Sequence, residues 1–395
     1  MMFFCVSIVV IVIAFITVSC LILSPTFVFR LLRRLDSSVD DYRFFPARTI
    51  SKSDCPYEYE NSLDSGLENL ILRYKTADNE ETEAALADFV ISTGTSSFII
   101  IKEGKIIFEQ YANGYERASI NTSFSMAKSI VSLLLGKAVE DGYIDSEYQN
   151  ISDFIHEFKG TNMEHITIKD LLTMRSDISY EGRGFLWFQD DAYTYWMPDL
   201  RTLALNHRKL TDKYQGRMRY NNYHPLLLGI ILERSTGMSV SEYFEQSFWR
   251  QIGSEYDASW SLDSEETRFE KMESGFNFRS IDFVKIGSML LNGGHWNGKQ
   301  IINPNWIQTS TIADFPINEH EYTGTFLESR NIGYGYMWYS RPSASGGMDF
   351  WAWGKYDQIL YVSPANDMVI LRTGIKNGNV FDYSEALEYL TTAID

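Results

Sequence analysis

The residues best placed to do chemistry are Ser125 and Lys128, in Ser125-Met126-Ala127-Lys128, the only Ser-x-x-Lys in the chain. On a helix, a spacing of three puts the hydroxyl and the amine on one face, a turn apart. A lysine so placed can act as general base for the serine, provided its amine is neutral. Free lysine titrates near ~10.4, so neutrality near pH 7 needs a preference of about 4 kcal/mol for the uncharged form. Burial and the positive end of a helix both push in that direction. The pair therefore reads as an activated nucleophile of the Ser-Lys type, against the plainer alternative of a solvated serine beside a snorkelling lysine.

Other chemistries have less support. No Gly-x-Ser-x-Gly elbow occurs. The histidines (His156, His165, His207, His224, His295 and His320) include no His-Glu-x-x-His and no close pair, and they read as surface or structural residues. Of the cysteines, Cys5 and Cys20 lie in the N-terminal apolar run and only Cys55 falls in the rest, which offers neither a disulfide framework nor a Cys-based metal site. No metal or organic cofactor is implied.

The elements that must position the pair follow from periodicity and turn chemistry. Phe98–Ile101 and Ile106–Phe108 are short apolar runs around Lys102-Glu103-Gly104-Lys105, the pattern of a β-hairpin. The apolar stretch from Ser125 to Gly142 reads as a helix. A mainly helical, loop-rich section runs from about 150 to 300, with an amphipathic segment at Leu226–Glu233 stopped by Ser235-Thr236-Gly237. Strand signals return at 333–340, 349–353, 358–362 and 368–373, with a turn at Ser363-Pro364-Ala365-Asn366-Asp367 between the last two. Residues 383–394 are amphipathic and read as a closing helix. Strands at both ends with helices between predict an α+β fold: an antiparallel sheet from both chain ends, flanked by helices, with an inserted mainly helical region.

With 395 residues, 45% hydrophobic and 15% aromatic, the chain can bury one large core or two cooperating ones. Its net charge of −17 argues against nucleic acid as a partner. Met1–Leu23 carries no charged side chain and is long enough to span a bilayer as a helix. It lacks the basic start and short apolar stretch of a removable signal peptide, so the expectation is an uncleaved single-pass anchor. The expected division is an anchor over 1–28, a connector over 29–65 and a catalytic domain over 66–395. Arg30, Arg33 and Arg34, just after the apolar run, would put that side in the cytoplasm by the positive-inside rule.

Several stretches together resemble the penicillin-recognising serine hydrolases, on the side of class C β-lactamases, type VIII esterases and 6-aminohexanoate-dimer hydrolases. Phe124-Ser125-Met126-Ala127-Lys128-Ser129 resembles the nucleophile motif. Ile166–Met174 (ITIKDLLTM) is similar to another family stretch, with Asp177 where glycine is usual. Leu291–Ile301 (LNGGHWNGKQI) and Phe45–Ile50 (FPARTI) resemble elements of the dimer-hydrolase branch. The resemblance implies the β-lactamase/transpeptidase-like fold and an extracytoplasmic catalytic domain, against the orientation that the arginines suggest.

The family's second motif is Tyr-x-Asn, which occurs here at Tyr59, Tyr111, Tyr148 and Tyr220. Motif order excludes the two that precede Ser125, and Tyr148 follows too soon, in a polar loop. Tyr220-Asn221-Asn222 precedes a helix and fits. By the resemblance, Tyr220 relays protons beside Lys128, and Asn222 holds the substrate carbonyl or the Lys128 amine. The third motif, Lys-Thr-Gly, is absent. Arg372-Thr373-Gly374 is a look-alike at the wrong strand, and Trp351–Val362 fits better, placing Trp353, Gly354 and Lys355 at the substrate-binding edge with Asp357 where glycine is usual. Backbone N–H groups near Ser125 and Lys355 would then form an oxyanion hole. The aromatic stretch around Trp187 either walls the cleft or packs the helical region. The resulting expectation is a serine hydrolase acting on a small ester or amide through an acyl-enzyme. The alternatives are a D-amino-peptidase or carboxypeptidase on cell-wall-like peptides, and a penicillin-binding-type sensor that acylates without turnover.

Overall fold

The computed structural model describes residues 23–182, 188–313, 317 and 332–394. Helix α1 (Pro25–Arg34) opens the described chain, with Ser24 accepting from the Phe27 amide and proline at the first helical position. Strands β1 (Ala47–Ile50) and β2 (Glu60–Asn61) follow, then the hairpin β3 (Thr95–Lys102) and β4 (Lys105–Tyr111). Next come β5 (Asn121–Thr122), α2 (Met126–Glu140), α3 (Asp190–Trp196) and α4 (Tyr223–Thr236). The last part contains β6 (Ala258–Ser261), β7 (Phe276–Phe278), α5 (Ser280–Leu291), β8 (Gly333–Tyr334), β9 (Tyr339–Pro342), β10 (Met348–Gly354), β11 (Gln358–Ser363), β12 (Met368–Gly374) and α6 (Tyr383–Ala393).

The expected sheet from both chain ends is present. Its order is β8-β9-β10-β11-β12-β3-β4-β2, and the two ends of the chain meet where Ile370 of β12 faces Ile100 of β3 in an antiparallel pair. Alternate residues of β12 serve opposite faces, as a strand's period of two requires. Val369 meets α5 so closely that a side-chain carbon on Gly287 would lie 2.5 Å from it. Arg372, on the other face, stacks under the Tyr383 ring of α6 at 4.4 Å. A second sheet, β1-β6-β7-β5, takes in the FPARTI stretch, with Arg48 opposite Trp260.

Helix α2 is the core of the molecule. Twelve of its residues are buried, from Met126 to Ala138, and it packs on α4 and on β10 and β11. A helix that is apolar all round belongs inside. Lys128 is therefore an ionisable amine placed in the hydrophobic interior, and its chemistry follows from that position.

The expected single-pass membrane anchor over 1–28, with an extracytoplasmic domain behind it, is corrected. Among the described residues no helix is long and apolar enough to cross a membrane. Residues 1–22 lie outside the described residues. At Ser24-Pro25 a separate, ten-residue helix starts, and it buries Phe27, Val28 and Leu31 against protein. These three residues, together with Phe45, Ala192 and Trp196, build a small satellite core.

Candidate active site

Ser125 sits at the turn from β5 into α2, where Phe124 adopts a left-handed φ of 45°. Such a conformation is costly for a bulky residue and is held only where the surroundings fix it. The Ser123 amide donates to Phe276 O at 2.8 Å, which ties the approach to the second sheet. One helical turn on, Lys128 Nζ donates to Ser125 Oγ at 3.0 Å and to Glu273 O at 2.8 Å. Its side chain is 1% exposed. Burial lowers its pKa to about 7, with the Glu273 and Asp191 carboxylates pulling the other way. The pair meets the requirement set by the sequence: the amine is substantially neutral near neutral pH.

Tyr220 lies beside the same amine, with Lys128 Nζ 4.9 Å from its ring centre and a hydrogen bond between the phenol and Ser125. Burial raises the phenol above its ordinary range, and the Ser125 hydrogen bond opposes this only in part. The segment is pinned on both sides of Tyr220. Arg219 N donates to Met174 O at 2.8 Å, and Asn221 bridges from Ile178 O to the Tyr223 amide. The other Tyr-x-Asn tyrosines lie elsewhere: Tyr59 binds Ser288 in the core, and Tyr148 is exposed.

Asn222 shares the cavity with Ser125 and Lys128. Its amide nitrogen donates to Tyr180 Oη at 2.9 Å and Thr194 Oγ1 at 3.3 Å, and its Oδ1 is buried without a hydrogen-bond partner among the described residues. What Asn222 offers the cavity is thus an acceptor. The Lys128 amine is held by Ser125 and Glu273.

Gly354 ends β10 against the nucleophile turn. A side-chain carbon there would stand 2.4 Å from Ser123 O and 3.0 Å from Ser125 N. Its φ of −140° is ordinary extended backbone, so glycine is required by space and not by conformation. Lys355 lines the cavity, and its ammonium donates to Asp36 Oδ1 at 2.7 Å and Ser37 Oγ at 2.8 Å. Trp353 stands one layer back, its indole donating to Asp357 Oδ1 at 3.3 Å and packing edge-on to Tyr339. Trp187 lies outside the described residues.

Both positions where aspartate replaces a usual glycine keep the glycine conformation. Asp177 has φ 59° and Asp357 has φ 57°, which aspartate tolerates better than most residues. Each carboxylate also does something glycine could not. Asp177 accepts from the Gly216 amide at 3.0 Å, and Asp357 accepts from Trp353. The look-alike Arg372 is buried and donates to Asp357 O at 2.8 Å and Thr93 O at 3.0 Å, so it braces the turn after Lys355.

Two groups near Lys128 were not found from the sequence. Asp191 lines the cavity, accepts from the Tyr180 hydroxyl, and has its pKa raised by burial. Glu273 supplies the carbonyl for Lys128, while its carboxylate pairs with buried Lys271 at 3.1 Å. Only Asp191 had a local signal, as an acidic residue in the first turn of α3.

The cavity holds about 580 Å³ and joins residues from α1, α2, α3 and the Glu273 loop around Ser125. Residues 84–277 match the Beta-lactamase family model. The chain is 22% identical over 327 residues to 6-aminohexanoate-dimer hydrolase of Paenarthrobacter ureafaciens, covering 75% of this chain and 79% of that protein. A candidate 6-aminohexanoate-dimer hydrolase from Bacillus anthracis superposes with a TM-score of 0.75 at 22% identity, covering 90% of this chain and 92% of the other. A family VIII carboxylesterase superposes with a TM-score of 0.57 at 14% identity, over 76% of this chain and 91% of the other. The match to the Beta-lactamase family covers residues 84–277, and the chain is a serine hydrolase.

Proposed function

We propose that the chain hydrolyses a small amide or ester through an acyl-Ser125 intermediate, with Lys128 as base and Tyr220 as proton donor. The observation that carries this reading is the buried amine of Lys128, 3.0 Å from Ser125 Oγ, with burial lowering its pKa. Neutral Lys128 takes the Ser125 proton as Oγ bonds to the substrate carbonyl carbon. The carbonyl oxygen then carries negative charge, which backbone N–H groups of Ser125 and Lys355 would hold. As the tetrahedral centre collapses, the bond to the leaving group breaks and Tyr220 protonates that group, recovering a proton from the Lys128 ammonium. Water, deprotonated by the same pair, adds to the acyl carbon and releases the acid, returning the proton to Ser125.

The two shifts support this assignment of base and acid. Lys128 is pushed down toward neutrality and Tyr220 is pushed up, so the amine accepts and the phenol stays protonated. The unpartnered Asn222 Oδ1 favours an amide, whose N–H it can accept. The substrate named by the relatives, an amide dimer of 6-aminohexanoate, is accordingly the first amide to try. Efficient β-lactam turnover is disfavoured, because the Lys355 ammonium is engaged by Asp36 and not offered to a substrate carboxylate.

Hydrolysis of p-nitrophenyl acetate by the full chain and by Ser125→Ala tests the reading. Many turnovers per chain are expected for the parent and background rates for the variant. Equal rates in the two would remove Ser125 as nucleophile, and a single turnover in the parent would favour an acylating sensor.

A further inference from the structure

We infer that α1 and the turn that ends it form the wall of the reaction cavity that selects the substrate's acyl chain, favouring a long aliphatic one. The inference rests on the serine-hydrolase reading above and adds the substrate class. Leu31, Leu32 and Leu35 line the cavity that contains Ser125 and Lys128, and Ala192, Trp196 and Phe124 continue the apolar surface.

The wall is built into the domain. Arg30 buries its guanidinium under α1, donating to Trp196 O at 3.1 Å and to Asp263 O at 2.6 Å, and lies over the Phe45 ring at 5.0 Å. Burying a cation this way is worthwhile only where each N–H finds an acceptor, and these acceptors fix α1 to α3 and to the segment after β6. Downstream, Asp41 accepts from Arg34 Nε at 2.7 Å and from Tyr195 Oη at 2.7 Å. Asp36 and Ser37 hold Lys355, and Tyr356 Oη donates to Ser37 O at 2.8 Å. The helix is thus fastened to α3 on one side and to the end of β10 on the other.

Between these fastenings the backbone is strained. Leu35 has φ 63° and ψ −45°, closed by a hydrogen bond from Asp36 N to Arg34 O at 2.7 Å. This is a γ-turn of the rarer, costly hand, and a leucine adopts it only when held there. It leaves the Leu35 side chain 78% exposed at the cavity mouth. An apolar side chain presented to solvent on a strained turn above a nucleophile contributes little to the fold, and it is suited to meeting an apolar chain. The turn is tied to Lys355, whose N–H is assigned to the oxyanion, whereas Tyr220, assigned to the leaving group, packs on Tyr334 of the edge strand. The chain that meets α1 is therefore the acyl chain.

The test measures kcat/KM for p-nitrophenyl acetate, butyrate, hexanoate and octanoate with the full chain and with Leu32→Ala/Leu35→Ala. The hexanoate-to-acetate ratio is expected to fall about tenfold in the variant. A variant that lost rate equally on all four esters would show a purely structural role and overturn the inference. A second arm is independent of catalysis: calorimetric binding of N-methyloctanamide and N-methylacetamide to Ser125→Ala, with and without the leucine changes. Tighter binding of the longer amide, lost with the leucines, supports the wall even if the parent hydrolyses none of the esters. Equal affinities in all cases overturn it, whatever the status of Ser125.

Discussion

Lys128→Met is expected to lower kcat/KM for p-nitrophenyl acetate by about 10³-fold. Methionine fills the same buried volume without a base, so loss of activity with an unchanged circular dichroism spectrum separates chemistry from folding. The parent's pH profile carries the sharper information. The Lys128 ammonium is inactive as a base, and its pKa is lowered to about 7 by burial. Activity should therefore be low in acid and rise with pH, with a midpoint near 7. Were Tyr220 the base, the rise would come above the ordinary phenol range, because burial raises that group. Lys128→Arg completes the argument, since a guanidinium keeps the charge but cannot be deprotonated. Its activity should be as low as that of the methionine variant. Activity in either variant close to the parent's would contradict the assignment.

Gly354→Ala is expected to cost about 10²- to 10³-fold in kcat, the range seen when one oxyanion donor is lost. The added methyl meets Ser123 O at 2.4 Å and Ser125 N at 3.0 Å, both backbone atoms that cannot swing aside. Relief requires that β10 and the nucleophile turn move apart, which separates the Ser125 and Lys355 amides. Because φ at Gly354 is ordinary, alanine costs nothing in backbone conformation, and the effect should appear mainly in kcat with a smaller one on thermal stability. Measured kcat and thermal midpoint check this together. Unchanged kcat would show that the two amides do not act as a pair.

Much of the candidate site was legible in the sequence because its parts are local. Ser125 and Lys128 declare themselves by helical spacing, and motif order picks Tyr220 out of four matches. The strands of the main sheet were legible for the same reason, each an apolar run between turn residues. The aspartates at 177 and 357 stand where the family usually has glycine, and each takes the positive φ that glycine would have. What could not be read depends on distant contacts. Nothing near Glu273 in sequence indicates that its carbonyl will hold Lys128, 145 residues away. Asn222 fits its motif, yet its partners Tyr180 and Thr194, which decide what it offers, come from other segments. The N-terminal segment is the clearest case. Its apolar composition suggested a membrane span continuing to residue 28, while the proline at 25 and the partners of Arg30 make the part from Pro25 a short helix against the active site.

The central claim is that Ser125 carries the acyl group. It is tested most directly by reacting the full chain with a fluorophosphonate at pH 8 and mapping the modified peptide by mass spectrometry. One phosphonyl group per chain, on Ser125, is expected, with labelling abolished in Ser125→Ala and slowed in Lys128→Met. A stoichiometric label on any other residue, or labelling of Ser125→Ala at the parent's rate, would contradict the account.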